Sequence, residues 1–107
     1  MNELSLTEKD NGQKFIIPPE TKIIIMLPEN AATGYQWTPE ILPEDIIVLE
    51  KKTFIEAAES GIGATGTIKF NFRTIDEGNG RISLKYWQEW EGEKSIAKRF
   101  EIHVNIQ

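Results

Sequence analysis

An all-β domain is the fold this sequence predicts: two antiparallel sheets packed face to face, with no disulfide between them. Three observations carry that expectation. Apolar and polar residues alternate with a period of two in three separate stretches of the chain. No stretch sustains the 3.6-residue period of an amphipathic helix. Clusters of Pro, Gly and Asn punctuate the chain at intervals that suit short strands.

Taken in order, residues 14–17 and 22–27 are β-branched and apolar enough for strands, and Pro18-Pro19-Glu20 forces a turn between them. Leu42-Pro43-Glu44-Asp45 can start a helical turn but leads into no helical period; residues 46–49 and 51–55 then predict two strands or one bent strand. In residues 67–73, Ile68, Phe70 and Phe72 share one face and Lys69, Asn71 and Arg73 the other. In residues 81–87, Ile82, Leu84 and Tyr86 oppose Arg81, Ser83 and Lys85, and the same parity turns Trp87 outward. In residues 99–106, Phe100, Ile102, Val104 and Ile106 point inward. Gly78-Asn79-Gly80 reads as a tight hairpin turn joining the first two of these alternating strands. About seven short strands in a chain of this length match an immunoglobulin-like sandwich. Burying Phe15, Ile23, Ile25, Leu27 and the inward residues above contributes about 1.5–3 kcal/mol each before entropy is subtracted. Packing alone can hold such a fold.

The 107 residues suffice for one core and are too few for two, so residues 1–107 form a single domain. With 39% hydrophobic and 27% charged residues, the composition is that of a soluble globular protein. No apolar run is long enough to span a membrane, and residues 1–5 lack the basic-then-apolar pattern of a signal peptide. The expected location is therefore the cytoplasm. The absence of cysteine excludes disulfides, zinc–thiolate sites and thiol nucleophiles. A formal charge of -5 argues against nucleic acid, whose phosphates need a basic face.

Catalytic chemistry has little to work with. The single histidine, His103, falls on the wet face of the last strand, with no second histidine to build a metal site or a relay. The carboxylates are scattered, without a convincing acid–base pair. Gly61-Ile62-Gly63-Ala64-Thr65-Gly66 is glycine-rich but leads into a strand, so it lacks the helix N-terminus that a dinucleotide loop requires. The reading is of a protein that is not an enzyme and holds neither cofactor nor metal.

Three loops stand out instead. Asn30-Ala31-Ala32-Thr33-Gly34-Tyr35 is small, uncharged and turn-forming. The stretch from Gly61 to Gly66 is uncharged and glycine-rich, and Trp87-Gln88-Glu89-Trp90-Glu91-Gly92 carries the aromatic side chains that dominate interface hot spots. In a seven-strand sandwich these loops emerge at one end. Recognition of a macromolecule is the first hypothesis. An alternative is a carbohydrate-binding sandwich stacking sugars on Trp37, Trp87 and Trp90, although Trp37 is expected to turn into the core. A third is an adhesion domain that uses its sheet edges.

The ordered trio resembles the chagasin-type inhibitors of papain-like cysteine proteases. Their first motif, Asn-Pro-Thr-Thr-Gly and an aromatic, is similar to Asn30-Ala31-Ala32-Thr33-Gly34-Tyr35; their Gly-x-Gly-Gly is similar to Gly61-Ile62-Gly63-Ala64. Their Arg-Pro-Trp falls on Gln88-Glu89-Trp90, so that Trp90 is kept and Arg-Pro is not. The resemblance implies a monomeric, reversible, non-covalent inhibitor that wedges three loops into the active-site cleft. Thr33 and Gly34 would sit over the catalytic cysteine and histidine. Residues 61–64 would run along the cleft, and Trp90, with Trp87, would pack on aromatic surface beyond it.

Overall fold

The alternation resolves into eight strands in two four-stranded sheets, seen in a computed structural model that describes residues 2–56 and 65–107. The strands are β1 (Glu3–Leu6), β2 (Lys14–Ile17), β3 (Lys22–Asn30), β4 (Gln36–Ile41), β5 (Ile47–Glu56), β6 (Thr65–Thr74), β7 (Gly78–Trp87) and β8 (Lys98–Ile106). One sheet runs β1-β3-β6-β5 and the other β2-β8-β7-β4. The long strands pair antiparallel as expected, but the two short N-terminal strands do not. β1 runs parallel to β3, and β2 parallel to β8. The chain crosses from the first sheet to the second and back over its first 22 residues, and a crossover, unlike a hairpin, returns a strand in the same direction. The sheets are therefore mixed.

Between the sheets lie Trp37, Phe70, Phe72 and Phe100 with Ile23, Ile25, Leu27, Ile82, Leu84 and Ile102, all at 2% exposure or less. These are the residues that the period-two pattern turned inward, together with Trp37. Phe15 and Tyr86 pack against this cluster but stay partly exposed. The stretch from 46 to 55 is one bent strand: the register of β5 against β6 shifts between Leu49 and Lys51. Across the outer face of β7, Arg99 on β8 reaches Glu40 on β4 at 2.9 Å. That hydrogen bond holds the Glu40 carboxyl below its ordinary range.

Gly78-Asn79-Gly80 is not a hairpin turn. It opens β7, opposite Ile106, Asn105 and Val104 of β8, and the chain changes sheet at residues 75–77. The glycines answer a different demand, because the turn at residues 43–46 is laid against them. A Cβ on Gly80 would stand 2.6 Å from Pro43 Cγ and 3.1 Å from Ile46 Cδ1. Gly80→Ala is accordingly expected to lower unfolding stability by about 1–3 kcal/mol, the usual cost of overpacking. Urea unfolding measures it, and an unchanged midpoint would mean the turn yields freely.

Candidate functional site

At the end of β3 the chain is turned by its own side chains. Asn30 Oδ1 accepts a hydrogen bond from the Ala32 amide at 3.0 Å. Thr33 Oγ1 donates to the Asn30 carbonyl at 2.8 Å and accepts from the Tyr35 amide at 3.3 Å. These bonds close a single 3-10 turn, Ala31–Thr33, and Gly34 leaves it with φ +78°, a conformation glycine adopts without cost. Asn and Thr suit this role because their short polar side chains bond the backbone two or three residues away.

The base of the turn is built from buried and half-buried groups. The amide of Asn30 donates to the Tyr86 hydroxyl at 3.3 Å. Tyr86 packs at a tilt against Tyr35, with ring centroids 5.3 Å apart, and against Trp37, at 4.9 Å. Trp37 donates from its indole to the Pro28 carbonyl at 2.9 Å and from its amide to Glu29 Oε1 at 2.8 Å. Glu29 is 7% exposed, and this amide gives one of its buried carboxyl oxygens a hydrogen-bond partner. Sequence reasoning passed over Glu29, although it continues the inward parity of Ile23, Ile25 and Leu27. A charge on the inward face next to a loop was the available signal.

The connection between β7 and β8 is a 3-10 segment, Glu89–Ser95, split by Gly92 at φ +76°. It buries none of its residues. Hydrogen bonds shape it instead: the Gln88 amide donates to Ser95 Oγ at 3.0 Å, Ser95 Oγ donates to the Gly92 carbonyl at 2.7 Å, and the Ala97 amide donates to the Tyr86 carbonyl at 2.9 Å.

The two loops meet. Gln88 Nε2 donates to the Thr33 carbonyl at 3.0 Å. The Trp90 ring lies over Gly34 so closely that a Cβ there would collide with Cη2. Trp90 nonetheless remains 69% exposed overall. Ala32, Thr33 and Glu89 stand exposed around it. Gln88, which replaces an arginine of the resembled motif, is thus turned toward the neighbouring loop.

The remaining expected residues divide. Gly61, Ile62, Gly63 and Ala64 lie outside the described residues. The strand ends that flank them are at the right level: Thr65 pairs with Asn30, and Gly66 pairs with both Glu29 and Glu56. Trp87 faces outward as its parity required, but it sits on the sheet and not on the loop tip. Its indole donates to Thr38 Oγ1 at 3.1 Å, and Lys85 Nζ lies 3.6 Å above its ring. With Trp37 at 1% exposure in the core, the three tryptophans form no common platform for a sugar. His103 is on the outer face of β8, 3.5 Å from Glu101 Oε2 and away from both loops.

Residues 17–104 match the family model described as Chagasin family peptidase inhibitor I42. The chain is 27% identical over 104 residues to the chagasin of Trypanosoma cruzi, across 92% of this chain and 94% of chagasin. Its fold is similar to the crystal structure of a cysteine protease inhibitor from Entamoeba histolytica, with a TM-score of 0.90 and 27% identity over 100% of this chain and 97% of that one. It is also similar in fold to PbICP-C, solved in complex with falcipain-2, at a TM-score of 0.64 and 20% identity over the whole of both chains.

Proposed function

This chain belongs to the chagasin family of peptidase inhibitors, and from that premise we propose that it blocks papain-like cysteine proteases reversibly by filling the active-site cleft with one end of its sandwich. The observation that carries the reading is the contact between the first and third loops. Two motifs separated by more than fifty residues close on each other, with Trp90 seated on Gly34 and Gln88 on the Thr33 carbonyl. Their exposed atoms make one continuous surface.

The shape of the first loop explains how it could enter a protease without being cut. A cysteine protease attacks a carbonyl in an extended segment, whereas residues 31–33 are coiled into a 3-10 turn. The Asn30 and Thr33 carbonyls are already engaged, by Thr33 Oγ1 and by Gln88. The loop offers bulk to the cleft, and no strand to the nucleophile. Being pre-formed, it also loses little conformational freedom on binding. In this reading residues 61–64 would run along the cleft, as the family resemblance implies. The family's arginine is absent, and Gln88 in its place braces the first loop through the Thr33 carbonyl.

Titration of papain with this protein, using a fluorogenic peptide substrate, is expected to abolish activity stoichiometrically and to leave the inhibitor uncleaved. Thr33→Asp should weaken inhibition by about tenfold or more, since it charges the loop tip and removes the Thr33–Asn30 bond. Full activity of papain and of a cathepsin-like enzyme at micromolar protein would end the proposal.

A further inference from the structure

Lys85 is an unusual residue for the place it occupies. It belongs to the outward-facing set of β7, yet it is only 8% exposed, and lysine is among the residues least often buried. Two partners hold its ammonium. Its ammonium lies 3.6 Å above the Trp87 ring and donates to Glu93 Oε1 at 3.2 Å. Trp87 is itself tied to Thr38 on β4. The Glu40–Arg99 pair reaches across β7 beside it.

Glu93 lies within the Glu89–Ser95 segment, three residues beyond Trp90. That segment buries no side chain, so burial cannot fix its position. It is held to the sheet by the Lys85–Glu93 bond, and it is closed on itself by Ser95. Its far side is then free to lay Trp90 on Gly34 and Gln88 on Thr33. We infer that Lys85 is a positioning residue of the docking surface: by holding Glu93 it fixes the turn that carries Trp90, and through Trp90 the joint shape of the first and third loops. Lys85, at 8% exposure, would itself offer almost no surface to a protease. This rests on the proposed inhibition only for its effect on a protease; the effect on the loop does not need it.

Lys85→Met keeps the stem that covers the sheet and removes the donor. Glu93 is 69% exposed at its side chain, so the carboxylate released returns to water and is not left as an orphaned buried charge. The variant is expected to inhibit papain about tenfold more weakly, through faster dissociation, because part of the order of the surface must now be supplied on binding. Lys85→Arg, which keeps both the charge and the stacking on Trp87, should restore inhibition to within about threefold of the parent. Independently of any protease, backbone amide relaxation should show residues 89–94 newly mobile in Lys85→Met, with β7 and β8 unchanged. The Trp90 indole N–H should shift as well. If papain is not inhibited by the parent, the inhibitor reading falls while the relaxation measurement still decides the role of Lys85. Unchanged order in residues 89–94 overturns the inference. So does a loss of order spread through the core amides in both variants, which would make Lys85 a general stability residue.

Discussion

Trp90→Ala is expected to raise the inhibition constant for papain by about 30- to 1,000-fold, the 2–4 kcal/mol that loss of a central aromatic anchor costs at an interface. The thermal midpoint should move by no more than a degree or two. Both halves follow from one geometry. The ring rests on Gly34 with one side and is 69% exposed overall, so folding gains little from it, whereas a partner has a large rigid surface to cover. The alanine variant also uncovers Gly34, leaving the first loop without its neighbour on that side. Trp90→Phe, which preserves a flat apolar ring, should recover part of the loss. Equal inhibition by parent and alanine variant, measured with active-site-titrated papain, would remove the third loop from the proposed surface.

Trp37→Ala should do the opposite, striking the fold before the site. The side chain is 1% exposed, packs at a tilt on Tyr86 at 4.9 Å and donates to the Pro28 carbonyl at 2.9 Å. Truncation leaves a cavity and an unpaired carbonyl, and is expected to cost about 3–5 kcal/mol of unfolding free energy. For a domain of this size that is a drop in midpoint of well over ten degrees or so. A cost below about 1 kcal/mol in urea unfolding would show that the space collapses and that Trp37 does not anchor the fold.

The long strands were legible because each buries one face only. Ile68, Phe70 and Phe72, or Phe100, Ile102, Val104 and Ile106, cannot all reach the core by any period other than two. The two departures concern pairing, which alternation does not encode. β1 is four residues long and its parallel partner lies sixteen residues and more away, so neither its length nor a hairpin turn announces it. Gly78-Asn79-Gly80 has the composition of a turn for a reason no local rule contains, the packing of Pro43 and Ile46 from a distant segment.

The loops show a similar division. Their order along the chain was readable, and so was the outward face of Trp87. The duties of Asn30 and Thr33 were not, since a residue that bonds its own backbone and one that meets a partner have the same letters. Trp87 and Trp90 differ by three positions and nothing in their spacing tells which one the sheet retains; Thr38 and Lys85 decide it, from another strand and from the outer face.

The seating of Trp90 on Gly34 has a bearing on how such a surface could be moved to another scaffold. Residues 30–35 taken as a peptide would leave behind Tyr86 as floor, Trp37 as anchor and Trp90 as wall, and the sequence Asn-Ala-Ala-Thr-Gly-Tyr alone has no means of supplying them. The transplantable unit is the end of β3 with the start of β4, together with β7 from Lys85 onward and its connection to β8. A library that randomises either loop alone would search mostly among variants whose partner loop no longer fits, so productive changes should come in pairs, one from each side of the contact.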